Sequence, residues 1–137
     1  MTESAEKPLA PAKVLIVEDH PQNLELLEVY MEDLAPEVTT LSAVNGVEAL
    51  EMVEKHKPDL ILLDIMIPKM SGFEVCRHLK GNPETRDILV VMITALNETG
   101  DVERATECGT DDYLTKPVDR RALANLVRTM LRTRQGG

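Results

Sequence analysis

Short, uninterrupted apolar runs alternate with amphipathic stretches along most of the chain. The strongest runs are Val14-Leu15-Ile16-Val17, Leu60-Ile61-Leu62-Leu63 and Ile88-Leu89-Val90-Val91-Met92-Ile93. They are continuous rather than alternating, the pattern of parallel strands buried on both faces. Val38 to Ala43 and Asp112 to Thr115 fit two weaker strands. Between the runs, Leu24, Leu27, Met31 and Leu34 recur at the spacing of one buried helical stripe. Ala49, Leu50 and Val53 form a second stripe, Val75 and Leu79 a third, and Val102 and Ala105 a fourth. A fifth runs through Leu123, Leu126, Val127, Met130 and Leu131, with Arg121, Arg128, Arg132 and Arg134 lying off it. Arginines toward that C-terminal end also suit the helix dipole.

Turn and cap residues fall between these segments. Pro21 suits the start of the first helix, Asn45-Gly46 the turn before the second, and Lys57-Pro58 its end. Ser71-Gly72 opens the third, Gly109 closes the fourth and Asp119 can cap the fifth. The order is (βα)5. Strand–helix–strand crossovers are right-handed, so the expectation is an α/β fold, a parallel sheet with helices on both faces. There is no internal repeat and no sign of a second domain. The expected organisation is a tail over 1–11, one domain over 12–133 and a short tail over 134–137.

Composition narrows the function classes. At 43% apolar and 28% charged residues the chain reads as an ordinary globular protein. Aromatic residues make up only 2%, which argues against a site built on stacking with flat ligands or bases. A formal net charge of −9 repels nucleic-acid backbones, so no direct nucleic-acid binding is expected. Cys76 and Cys108 show neither CxxC spacing nor zinc-ligand spacing with His20, His56 or His78, so they read as reduced, buried thiols. The three histidines read as packing or solvent-facing residues and receive no role. The first dozen residues lack the apolar segment of a signal peptide, and no run reaches membrane-spanning length. A cytoplasmic location is expected.

The candidate chemistry lies just after the strands. The first strand ends in Glu18-Asp19, the third in Asp64, the fourth in Thr94 and the fifth in Lys116. In a parallel sheet all strand C-termini share one edge, and ligands bind in the crevice there. Three carboxylates at that edge would repel unless a cation or protons intervene. A hard divalent ion such as Mg²⁺ takes one or two carboxylates together with phosphate and water oxygens. A carboxylate nucleophile, a cation, a lysine and a hydroxyl are the parts that phosphoryl transfer to an aspartate uses. Asp64 is the better nucleophile because it leaves the most apolar strand directly. Glu18 and Asp19, adjacent at a loop start, suit metal ligation.

VLIVED (Val14–Asp19), LILLDIMIPKMSG (Leu60–Gly72), Ile93-Thr94-Ala95 and GTDDYLTKP (Gly109–Pro117) closely resemble the receiver domain of bacterial two-component response regulators. The resemblance spans roughly residues 12–133, and the motifs keep the family's order and spacing. It implies a CheY-like, flavodoxin-like sheet of strand order 2-1-3-4-5. It implies that Asp64 is the phosphoacceptor and that Glu18, Asp19 and Asp64 hold Mg²⁺ with the backbone carbonyl of Met66. Lys116 then contacts the phosphoryl group through a segment whose Lys116–Pro117 bond is cis. Thr94 is the switch hydroxyl and Tyr113 the switch aromatic. The implied donor is a histidine kinase or histidine phosphotransfer protein. The implied output is a downstream protein bound by the face of the fourth helix, fifth strand and fifth helix. The domain would be no enzyme in the ordinary sense, catalysing only its own phosphorylation and dephosphorylation, and a monomer for which the family allows a phosphorylation-linked dimer. Within the family the chain looks most like stand-alone cell-cycle receivers and the receivers of diguanylate cyclases. Met66 and Leu96, each two residues past a site residue, are apolar and unable to orient water, so slow self-dephosphorylation is expected.

Other classes fit less well. An aspartate-nucleophile phosphatase would need a second aspartate where Met66 stands. A flavin carrier would need a Ser/Thr/Gly-rich loop where the chain has Glu18-Asp19-His20-Pro21. A degenerate receiver acting only as a binding module would not require all five polar positions.

Overall fold

The structure is a computed structural model and describes residues 10–94 and 107–135, the Leu34 side chain excepted. Ala95, Leu96 and the fourth helical stripe with Val102 and Ala105 lie outside the described residues, as do residues 1–9, 136 and 137. The elements are β1 (Ala12–Val17), α1 (Pro21–Leu34), β2 (Val38–Ala43), α2 (Gly46–His56), β3 (Leu60–Asp64), α3 (Gly72–Lys80), β4 (Leu89–Thr94), β5 (Asp112–Thr115) and α4 (Arg120–Arg134). Here α4 is the fifth helix of the sequence reading. All strand pairs are parallel and the sheet order is β2-β1-β3-β4-β5, as expected.

The continuous apolar runs have a direct consequence. Leu15, Val17, Ile61, Leu63, Val90 and Met92 point into a core closed by α2 and α3. Their neighbours Val14, Ile16, Leu60, Leu62, Val91 and Ile93 point into a second core under α1 and α4. Each fully buried Leu or Ile contributes about 1.5–3 kcal/mol of hydrophobic stabilisation, so β1, β3 and β4 form a rigid floor for whatever stands at their ends.

Caps set where the helices begin. Asn45 Oδ1 accepts from the Glu48 amide at 2.7 Å, and Asp119 Oδ2 accepts from the Ala122 amide at 2.8 Å. Ser71 and Glu74 form a reciprocal capping box at the start of α3. Residue His20 precedes Pro21 at the start of α1 in an extended conformation, yet its side chain does not cap the helix.

Below the sheet, at its N-terminal edge, Lys80 Nζ donates to Asp111 Oδ2 at 2.7 Å, to the Ile88 carbonyl at 2.8 Å and to the Arg86 carbonyl at 3.0 Å. Asp111 Oδ2 also accepts from the Val90 amide at 2.8 Å. Arg128 on α4 grips Glu37 through two bonds of 3.0 and 3.2 Å, fastening α4 to the turn before β2. Gln135 and Ala10 exchange hydrogen bonds of 3.0 and 3.1 Å, joining the two ends of the described fold. Cys76 and Cys108 are both buried, and the Cys76 thiol donates to the Cys108 carbonyl at 3.3 Å. Burial pushes that thiol well above its usual range.

Candidate functional site

Four strands deliver the polar residues to one edge. Glu18 and Asp19 follow β1, Asp64 ends β3, Thr94 ends β4, and Lys116 follows β5. The strand before Asp64 is buried throughout, so this carboxylate stands at the end of a fixed rod. Its backbone is braced from the other side. A side chain at Gly72 would place Cβ 2.6 Å from the Asp64 carbonyl oxygen and 2.8 Å from Ile65 Cα. The first residue of α3 therefore has to be glycine for the helix to close on Asp64, and the Gly72 amide donates to the Ile65 carbonyl at 3.0 Å. The sequence reading used Gly72 only as a helix-start signal. Its position eight residues after Asp64, at the start of α3, is the feature that marks the close approach.

Asp64 is 2% exposed and holds two partners. Lys116 Nζ donates to its Oδ2 at 2.6 Å, and the Met66 amide donates to its Oδ1 at 2.9 Å. Met66 directs its side chain outward, 78% exposed, while its backbone turns over the aspartate. Glu18, 1% exposed, lies against the same ammonium, with Oε1 3.9 Å from Lys116 Nζ. Its other oxygen, Oε2, accepts from the His20 amide at 3.0 Å. Burial holds the Glu18 carboxyl above the usual range and the neighbouring Asp64 adds to this, against the lowering by the His20 amide and Lys116. Thr94 is buried, and its carbonyl accepts from the Lys116 amide at 2.8 Å, which sets where the lysine begins. The Lys116–Pro117 peptide is cis.

Tyr113 does not join the cluster. It sits on β5 opposite Met92, 39% exposed, two residue pairs short of Thr94 and Thr115.

Asp64 and Glu18 thus share one ammonium, with Asp19 next to Glu18 in the chain, leaving the cluster short of positive charge. Asp19 Oδ1 is buried without a hydrogen-bond partner. A carboxylate oxygen with no hydrogen bond and only the His20 ring nitrogen 3.2 Å away, beside two buried carboxyls, is what a hard divalent cation with oxygen ligands would satisfy, so Glu18, Asp19 and Asp64 fit Mg²⁺. No helix among the described residues is long and apolar enough to cross a membrane.

Comparison with known proteins shows the family. The family model of the response regulator receiver domain matches residues 14–128. The response regulator PleD of Caulobacter vibrioides is 46% identical over 121 residues, covering 88% of this chain and 26% of PleD. The polar-differentiation response regulator DivK of Brucella anthropi is 42% identical over 108 residues, covering 79% of this chain and 86% of DivK. The chain therefore spans about a quarter of the first relative and most of the second. Among solved structures, the receiver domain of sensor histidine kinase PA1611 from Pseudomonas aeruginosa superposes with a TM-score of 0.80 at 27% identity. That match covers 89% of this chain and 98% of the other, and the neighbour carries a magnesium ion in its active-site cleft.

Proposed function

Because the chain belongs to the response regulator receiver domain family, the phosphorylatable part of two-component signalling, we propose that Asp64 is its phosphoacceptor. Glu18, Asp19 and Asp64 hold Mg²⁺, joined by the backbone carbonyl of Met66. The single observation that carries this reading is the buried Asp64 carboxylate, bound by Lys116 at 2.6 Å inside a cluster with more carboxylates than cations.

The donor is a phosphohistidine on a sensor kinase or a histidine phosphotransfer protein. An Asp64 oxygen attacks phosphorus, an O–P bond forms, and the P–N bond breaks with its electron pair returning to the imidazole. Lys116 moves from the carboxylate to an equatorial phosphoryl oxygen, and the Thr94 hydroxyl donates to another. Bound Mg²⁺ supplies neutralisation of the charge carried by the phosphoryl oxygens. The fixed floor of β1, β3 and β4 keeps Asp64 in line while this happens. A groove of about 430 Å³, lined by Glu18, Leu26, Tyr30, Lys116 and Val118, opens beside the site and gives a donor an apolar approach.

Once phosphorylated, the domain switches by drawing Thr94 toward the phosphoryl group and turning the half-exposed Tyr113 inward. The surface of β5, α4 and the segment before β5 changes, and a downstream protein reads it. The net charge of −9 disfavours a nucleic-acid target. The acting unit spans residues 12–133, works in the cytoplasm as a monomer with a phosphorylation-linked dimer open to it, and catalyses no reaction beyond its own phosphorylation and dephosphorylation. The exposed, apolar Met66 cannot orient an attacking water, so the aspartyl phosphate is long-lived. Loss of the phosphoryl group within seconds would contradict that lifetime.

The test is incubation with a small phosphodonor such as acetyl phosphate, read by intact mass. Wild type gains one phosphoryl group with Mg²⁺ and none with EDTA, and Asp64→Asn gains none. A gain that survives in Asp64→Asn removes the assignment.

A further inference from the structure

We propose that Gly46, the first residue of α2, is a positioning residue for phosphoryl transfer: its bare backbone clamps the loop between β3 and α3 and so fixes Met66 against Asp64. The inference rests on the reading of Asp64 as phosphoacceptor with Met66 beside it, and adds the residue that holds Met66 in place.

Met66 meets the site through its backbone. Its amide donates to Asp64 Oδ1 at 2.9 Å while its side chain points outward. The path of the loop over residues 65–71 therefore decides where that backbone stands. Both ends of the loop are tied down: the Ile65 amide donates to the Ile93 carbonyl of β4 at 3.2 Å, and the Gly72 amide to the Ile65 carbonyl at 3.0 Å. The crest is a three-residue turn, closed by the Met70 amide on the Pro68 carbonyl at 2.8 Å with Lys69 at φ 70°. A positive φ outside glycine makes this the strained form of such a turn, and a strained crest keeps its shape only when its surroundings hold it.

Gly46 supplies that hold. Its amide donates to the Pro68 carbonyl at 3.3 Å. A Cβ here would stand 2.4 Å from the Met70 carbonyl oxygen, 2.6 Å from Met70 Cβ and 3.0 Å from Val75 Cγ2. Gly46 is an ordinary helical residue, so the demand is for space and not for backbone freedom. The helix start is itself pinned, since Asn45 Oδ1 accepts from the Glu48 amide at 2.7 Å and Glu48 Oε1 from the Val44 amide at 3.1 Å. A side chain at position 46 would therefore push the crest rather than the helix, and the push passes back along the loop from Met70 to Met66. A misplacement on the order of 1 Å at a reacting group costs about a hundredfold in rate, so even part of that shift is measurable.

The experiment compares wild type, Gly46→Ala, Met70→Gly and the double variant. Gly81→Ala serves as control, because its added Cβ would meet the Arg77 carbonyl oxygen at 3.0 Å at the far end of α3. Three quantities are read: the Met66 amide shift in the metal-free protein, Mg²⁺ affinity by calorimetry, and the rate of phosphoryl gain from acetyl phosphate by intact mass. Gly46→Ala should move the Met66 amide, weaken Mg²⁺ binding about threefold and slow phosphorylation about tenfold or more. Gly81→Ala should leave the shift in place and the other two within about twofold of wild type. Removing the Met70 side chain should recover most of the loss, because it removes the contact at Cβ. A folded Gly46→Ala with its Met66 amide unmoved and its rate unchanged overturns the proposal, as does an equal loss with and without the Met70 side chain. Should Gly46→Ala not fold, Asn45→Ala loosens the same first turn without a clash, and an unmoved Met66 amide with an unchanged rate there overturns it too. Wild type that gains no phosphoryl group strikes the reading of Asp64 instead, and the Met66 shift, recorded without a donor, still tests the clamp.

Discussion

The molecule holds two lysine–aspartate pairs of nearly the same length at opposite edges of its sheet. Lys80–Asp111 measures 2.7 Å and Lys116–Asp64 measures 2.6 Å. At the lower edge every demand is met. Lys80 spends three bonds on Asp111 and two carbonyls, and Asp111 takes a strand amide as well. At the upper edge one ammonium faces Asp64 and Glu18 together, with Asp19 alongside. A saturated pair stitches the α3–β4 connection to the start of β5 and has nothing left to bind. An undersaturated one keeps an open valence for a cation and for an anionic group arriving with it. Distance alone does not separate structural from functional ion pairs; the balance of the surrounding charges does.

The contrast can be broken most severely at Asp64. Asp64→Asn should abolish phosphoryl incorporation while the fold, measured by circular dichroism, persists. Lys80→Met should do the reverse. It leaves Asp111 and two carbonyls without their partner, so it should lower stability by about 2 kcal/mol in urea melts while Mg²⁺ affinity stays unchanged.

Glu18→Gln should act in the opposite sense and more weakly. The Glu18 carboxyl is held above its ordinary range by burial first and Asp64 second. The folded protein therefore grips that proton more tightly than the unfolded chain does. The stabilisation is complete below the unfolded value and is lost as pH rises through the folded one. In EDTA at neutral pH the variant should gain stability on the order of 1 kcal/mol, and the gain should disappear on acidification or when Mg²⁺ stabilises the wild type. The smallest effect belongs to an exposed pair, Arg120–Asp33, 3.6 Å apart with both side chains more than half exposed. Arg120→Ala should shift stability by less than about 0.5 kcal/mol.

Much of the frame is legible in the amino-acid order because burial on both faces forces a recognisable pattern. β1, β3 and β4 are continuous apolar runs, and Val38–Ala43 and Asp112–Thr115 form strands although their patterns are weaker. The parallel order then carries Glu18, Asp19, Asp64, Thr94 and Lys116 to one edge, since strand polarity is fixed by the helical crossovers. What the order hides is side-chain direction. His20 looks like an exposed residue before Pro21, and nothing in the spacing says that its ring turns back over the acidic pair. Lys80 looks like any charge at a helix end, and its three bonds depend on loops whose paths no periodicity reveals. Gly72 reads as a helix start until its neighbour across the turn is seen to be the Asp64 carbonyl.

The most direct test of the upper edge as a phosphorylation switch uses beryllofluoride, a phosphoryl mimic, with Mg²⁺, read by amide chemical shifts in wild type and Asp64→Asn. The account predicts shifts at Asp64, Thr94 and Lys116 that extend to Tyr113 in wild type and vanish in the variant. No response of the wild type to either reagent would contradict it.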